Sequence, residues 1–192
     1  MKEIAIFGGS FNPPTRAHEA VIRACLDEPF IDQVWVMPSG DRIDKQYAAT
    51  DKDRLNMLEI MCQEAFDDDP RVQICRLEMD MPRPTQTYKT VQEIHKRHPG
   101  RLFRFVYGCD AYRGMPKWQN GDKLQRELPI LIAKRNHEHL PHADNLIQLD
   151  HAPNGLSSAT DVRQAIAAGN PVNHMVCSGV ELYIKQHDLY RD

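Results

Sequence analysis

Short apolar runs alternate along the chain with stretches whose apolar residues recur every three to four positions. Residues 4–7, 33–37, 72–77, 102–107, 129–133 and 146–149 read as strands, and 18–26, 52–66, 87–96, about 161–168 and about 179–186 read as helices. In 52–66 the positions Leu55, Leu58, Met61, Cys62 and Ala65 share one helical face that faces the core, and Thr50 or Asp51 can cap its start. The charged trio Lys52, Asp53 and Arg54 reads as the solvated face of the same helix.

Strand-helix alternation is the order of a parallel sheet with helical crossovers. The runs 4–7 and 129–133 are apolar throughout instead of alternating, as strands are when helices cover both faces of the sheet. The expectation is an open α/β fold. No low-complexity linker, charge block or repeat divides the chain, and 192 residues fit one domain spanning 1–192. Ligands of such sheets bind beyond the carboxyl ends of the strands, which directs attention to the residues following Phe7, Met37, Leu77, Tyr107 and Leu149.

Composition narrows the function. Apolar residues make up 41% and charged residues 27%, an ordinary balance for a packed globular domain, and the formal net charge is −3. That balance supplies no general positive field for a nucleic-acid polymer or an acidic membrane, so any phosphate must meet a local site. The longest apolar runs fall well short of the ~20 residues of a membrane helix. The amino terminus lacks the basic start and apolar run of a signal peptide, so the expected location is cytoplasmic. Five scattered cysteines, none in a C-x-x-C pair, suggest neither a disulfide framework nor a metal site. His137, His139 and His142 match no helical zinc spacing, are interrupted by Pro141, and read as a solvated loop. The sequence specifies no oligomeric state and is compatible with a homo-oligomer.

The most informative segment follows the first strand: Gly8-Gly9-Ser10-Phe11-Asn12-Pro13-Pro14-Thr15-Arg16-Ala17-His18. Two glycines allow a tight turn and a close backbone approach, while the N–H groups of the loop and of the helix start favour an anion. Thr15 offers a hydroxyl, and His18, one turn on, offers a ring N–H or a positive charge to the same group. The segment lacks the Gly-Lys-Ser/Thr of a Walker loop and is not G-x-G-x-x-G, which removes the main support for kinase, ATPase or dehydrogenase chemistry. Near the other end, Leu156-Ser157-Ser158-Ala159-Thr160-Asp161-Val162-Arg163 places hydroxyls at a helix start and a guanidinium in its first turn, the makings of a phosphate clamp.

The first segment resembles the (His/Thr)-x-Gly-His signature of the nucleotidylyltransferase superfamily. The second is similar to the Ile-Ser-Ser-Thr-x-Ile-Arg motif of the nicotinate and nicotinamide mononucleotide adenylyltransferases. Two middle segments resemble the same family: Pro84-Thr85-Gln86-Thr87-Tyr88-Lys89-Thr90-Val91, and Gly108-Cys109-Asp110-Ala111 followed by Pro116-Lys117-Trp118. These landmarks reach from Phe7 to about Tyr190, essentially the whole chain.

The resemblance implies a Rossmann-like sheet and an enzyme that joins the adenylyl group of ATP to a pyridine mononucleotide, with Mg²⁺ carried on the ATP phosphates. It assigns His18, Thr15 and Arg163 to catalysis. Gly8, Gly9, Ser10, Phe11, Lys45, Ser158, Thr160, Gly108 and Asp110 would meet ATP and its phosphates, and Thr85, Thr87 and Trp118 the pyridine nucleotide. Arg54 matches a basic position of the family. Three departures stand out: Ala17 where the signature has glycine, Ala159 in place of a serine, and Asp44 where a histidine or aromatic residue precedes Lys45. The competing readings are another nucleotidylyltransferase, such as one acting on pantetheine phosphate, and a nucleotide-binding module without catalysis.

Overall fold

The computed structural model describes residues 3–40, 47–133, 143–149 and 155–191. Six parallel strands form one sheet: β1 (Glu3–Gly9), β2 (Ile31–Pro38), β3 (Val72–Ile74), β4 (Phe103–Gly108), β5 (Ile130–Ala133) and β6 (Leu146–Gln148). Their spatial order is β3-β2-β1-β4-β5-β6, the doubly wound arrangement whose crevice opens where the order reverses, between β1 and β4. The Rossmann-like expectation is met.

Sequence dictates this layering through strands that bury both faces. Along β1, Ala5 and Phe7 enter one core while Ile4 and Ile6 enter the other; along β5, Leu131 and Ala133 part in the same way from Ile130 and Ile132. The first core is closed by α1 (Arg16–Asp27), α2 (Asp51–Phe66), α7 (Ala159–Ala167) and α8 (Ser178–Gln186). The second is closed by α4 (Thr87–Arg97), α5 (Cys109–Gly114) and α6 (Gly121–Glu127). Among the described residues no helix is long and apolar enough to cross a membrane.

Three differences from the sequence reading have local causes. The run 72–77 extends as a strand only to Ile74, and Leu77 opens a short helix, α3 (Leu77–Asp80). α5, α6 and the 3₁₀ turn Met115–Lys117 are too short for their periodicity to declare itself. On α2 the core face is Met57, Leu58, Met61 and Phe66, while Leu55, Cys62 and Ala65 are half-buried beside it. Thr50 caps that helix, its hydroxyl accepting the Asp53 N–H at 3.2 Å. Burial pushes the Cys62 thiol up to about 12 and the Cys177 thiol up to about 11, so both pack as small apolar groups.

The start of α8 is capped from outside its own sequence. Cys177 supplies no side-chain cap, and Glu64 of α2 takes over: its Oε1 accepts the Ser178 N–H at 3.0 Å and its Oε2 the Gly179 N–H at 2.8 Å. The Ser178 hydroxyl and these N–H groups hold the Glu64 carboxyl down at about 2. A folded pKa below the unfolded one means the stabilisation is complete above about pH 4.5 and fades as pH falls from there toward 2. Glu64→Gln should therefore lower stability by about 0.5 to 1 kcal/mol near neutrality, the low end for a cap because the group is exposed. Thermal melts of the two proteins should converge as the pH approaches 2; a gap that persisted there would remove the charge from the explanation.

Candidate functional site

β1 ends in the two glycines, and the chain then folds back on itself. Phe11 lies at φ +45°, a left-handed conformation costly for a bulky residue, and its ring is fully buried, edge-on to Phe7 at 5.7 Å. Gly9 makes room for this return: a Cβ there would stand 3.1 Å from the Phe11 ring. Thr15, at the amino end of α1, and His18 then close on each other. The Thr15 backbone N–H donates to Nδ1 of His18 at 2.9 Å, and the Thr15 hydroxyl lies 3.0 Å from the same nitrogen. A ring that accepts at Nδ1 carries its hydrogen on Nε2, so of the two forms open from sequence the geometry selects the neutral Nε2–H donor. Phe11 packs against the imidazole at 4.9 Å and Phe7 at 5.9 Å, fixing its plane. Thr15 is only 1% exposed, and its visible work is to orient His18.

Three carbonyls of this loop are claimed by protein donors. Gly9 accepts the Ser39 N–H at 2.8 Å, Ser10 accepts Nη1 of Arg54 at 2.7 Å, and Asn12 accepts Nη1 of Arg163 at 2.7 Å. In a planar trans peptide the C=O and the following N–H point in opposite directions. Holding the Gly9 and Ser10 carbonyls therefore turns the N–H groups of Ser10 and Phe11 the other way, the polarity an anion requires. Phe11 is 0% exposed as a whole residue, so its ring shapes the loop from within.

Arg54 corrects the sequence reading of a solvated face. Its side chain is 0% exposed, with Nη2 at 2.7 Å from both the Ser39 carbonyl and Oδ1 of Asp51, and its guanidinium 4.2 Å from the Tyr47 ring centre. Burial alone would raise the Asp51 carboxyl, but the hydrogen bonds and charges of Arg54 and Arg83 hold it below the usual range. Charged neighbours disguised this position; Lys52 is exposed and Asp53 is spent on the helix cap.

Next to the loop, a cavity of about 180 Å³ opens at the reversal point between β1 and β4. Gly8, Gly9 and Ser10 line one side, Ser39 and Glu78 another, and Thr87, Tyr107 and Trp118 the far wall. The Trp118 ring stands edge-on to Tyr107 at 5.8 Å. Thr90 donates to Oε1 of Glu78 at 2.9 Å. A Cβ on Gly40 would collide with the Glu78 carbonyl and the Thr85 methyl, so this glycine lets the end of β2 pass close beneath the cavity wall.

The second motif forms the start of α7. Ser158 is its N-cap, exchanging hydrogen bonds with Asp161, whose Oδ2 accepts the Ser158 N–H at 2.7 Å. Nη2 of Arg163 reaches the Thr160 hydroxyl at 3.2 Å. Both ends of the chain thus meet at Asn12.

Such a constellation can arise by convergence as well as by descent. Residues 6–165 match the family described as cytidylyltransferase-like. The chain is 31% identical to a probable nicotinate-nucleotide adenylyltransferase of Bacillus pumilus, with 99% of each covered, and 30% identical to one of Geobacillus kaustophilus, covering 99% of this chain and 87% of the relative. The chain belongs to this adenylyltransferase family. The nicotinic acid mononucleotide adenylyltransferase of Plasmodium falciparum, solved in complex with NaAD, superposes with a TM-score of 0.85 at 26% identity, covering 99% of this chain and 98% of that one.

Within the family frame, the positions named from sequence fall into two connected groups. Gly8, Gly9, Ser10, Thr87 and Trp118 share the cavity, while Thr15, His18, Ser158, Thr160 and Arg163 are joined through the loop. Gly108 is the N-cap of α5, with Asp110 exposed in its first turn beside cavity-lining Ala111. Thr85 is buried, its methyl close to Gly40, and is not among the residues lining the cavity. Ala17 is buried in α1 and Ala159 is half-buried at the start of α7. Lys45 and the three histidines 137, 139 and 142 lie outside the described residues. Ser39, Glu78 and Tyr107 were signalled only by their place at or after expected strand ends; Asn12 lay in the first motif with no role of its own, and Arg54 matched a basic family position but read as solvated. Among the described residues no group of three or more His, Cys, Asp or Glu side chains could hold a metal ion.

Proposed function

We propose that the chain, acting as one cytoplasmic domain, transfers the adenylyl group of Mg-ATP to the 5′-phosphate of nicotinate mononucleotide, releasing pyrophosphate and forming the dinucleotide. The observation that carries this reading is the adjacency of an aromatic-walled cavity and an anion-oriented loop at the sheet's reversal point. The cavity is smaller than the ~300–1,000 Å³ of sites that engulf a whole drug-sized ligand, which suits one ring with its substituent while the phosphates lie along the loop.

Trp118 and Tyr107 offer ring faces and edges to the pyridine, a contact worth ~0.5–1.5 kcal/mol beyond burial. Thr87, opening α4, presents the N–H groups of a helix start to the ring carboxylate, which favours the acid over the amide. On the ATP side, the N–H group of Ser10 and Nε2–H of His18 serve the α-phosphate, where charge builds as the bond to the leaving group breaks. Arg163, Ser158 and Thr160 receive the departing pyrophosphate. Asp110 and Gly108 sit where a nucleotide sugar would pass. The attacking phosphate is ionised near neutral pH, so the protein need only align it and neutralise charge. Mg²⁺ enters with the substrate, bound by phosphate oxygens and water. A donor set of N–H groups, imidazole and guanidinium fits a chelated triphosphate.

Pyrophosphate release from Mg-ATP measured with nicotinate mononucleotide, nicotinamide mononucleotide and pantetheine phosphate in parallel tests the reading. Turnover is expected with the first and weaker turnover with the second. Faster turnover with pantetheine phosphate would assign a different acceptor, and ATP binding with no release in any arm would assign a binding module.

A further inference from the structure

Tyr190 is a turn residue beyond α8, two positions from the end of the sequence, yet only 7% of its surface is exposed. It adopts φ +64°, a left-handed conformation that no aromatic residue takes without a compensating contact. The contact is visible: its hydroxyl donates to Oδ1 of Asn12 at 2.7 Å in a buried environment, across 178 positions of sequence. Burial raises the phenol above its usual range, so it remains a donor at any physiological pH. Asn12 is itself buried, and its backbone carbonyl holds Nη1 of Arg163. One residue of the loop therefore carries the tail on its side chain and the guanidinium on its backbone.

We propose that Tyr190 is a positioning residue for adenylyl transfer, its buried hydroxyl fixing Asn12 and, through Asn12, the stance of Arg163 and the anion-binding loop toward ATP. The inference rests on the functional reading above. No described residue of the tail lines the pyridine cavity, so the brace acts on the ATP side of the reaction. Removing the hydroxyl leaves the ring in place and frees the Asn12 amide to rotate. The Asn12 backbone, whose carbonyl holds the guanidinium, then loses the anchor that its own side chain supplied.

The test is Y190F beside Y183F. Tyr183 also sits on α8, but its hydroxyl engages Asp53 at 3.0 Å and Asn56 at 2.9 Å, away from the loop. Y190F is expected to lower kcat/KM for ATP about 5- to 10-fold, the effect of one lost hydrogen bond, with KM for the mononucleotide unchanged. Y183F should match the wild type in both. N12A and the N12A/Y190F double variant should show one shared loss, since both single changes break the same contact. Additive losses, equal ATP kinetics in Y190F, or a lowered Tm with unaltered kinetics would each overturn the proposal. If the wild type releases no pyrophosphate, the functional reading falls. Calorimetric binding of Mg-ATP to the same proteins then decides the brace on its own: weaker binding by Y190F supports it, equal binding overturns it.

Discussion

His18→Ala should lower kcat by about 100- to 1,000-fold, the loss seen when one preorganised donor to a developing anionic charge is removed. The imidazole is unusually constrained for a surface-facing group: Nδ1 is committed to the Thr15 N–H, and Phe7 and Phe11 fix the ring plane. Such a group loses little freedom at the moment of reaction. Stability should fall far less, by about 1 kcal/mol for the unpartnered Thr15 N–H, which lowers Tm by roughly 2–4 °C in a domain of this size. Steady-state pyrophosphate release and a thermal melt on the same preparation separate the two effects. Turnover at the wild-type rate would take His18 out of the reaction.

Arg54→Met should do the reverse, with its largest effect on the fold. Methionine fills much the same volume but removes the donors to the Ser10 and Ser39 carbonyls and leaves Asp51 without its buried partner. Breaking one side of a buried pair costs about 3–5 kcal/mol; Asp51 is part-exposed and keeps Arg83, so the low end is expected, a fall in Tm of roughly 10 °C. Arg54→Lys should recover only part of this, because a single ammonium cannot reach carbonyls on two loops and a carboxylate together. Activity in either variant should fall as well, since Ser10 and Ser39 both line the cavity. A Tm unchanged by the methionine would mean that the desolvation of the guanidinium had cancelled its contacts.

How much of this was legible beforehand depended on how far apart the interacting residues stand. The strands 4–7 and 129–133 announced a sheet covered on both faces, and the core membership of alternate residues in β1 and β5 agrees. The rule that ligands gather beyond strand ends led to Ser39 and Tyr107, directly after β2 and at the end of β4, and to Glu78 only because the run 72–77 read as strand throughout, whereas Glu78 lies in α3. The two phosphate motifs were visible because each is a compact stretch with its own chemistry. Arg54 was misread because a charged residue beside Lys52 and Asp53 looks solvated, and the carbonyls that bury it lie 44 and 15 positions away. The link from Asn12 to Arg163 spans 151 positions, beyond any local pattern.

The loop after β1 is held by β2 through Gly9, by α2 through Ser10 and by α7 through Asn12. Three separate parts of the chain thus agree on its shape before any triphosphate arrives. The entropy of ordering that segment is then lost once, when the protein folds, and not again at each turnover. ATP should accordingly meet a finished receptor, with association governed by encounter instead of by the slow closing of a loop.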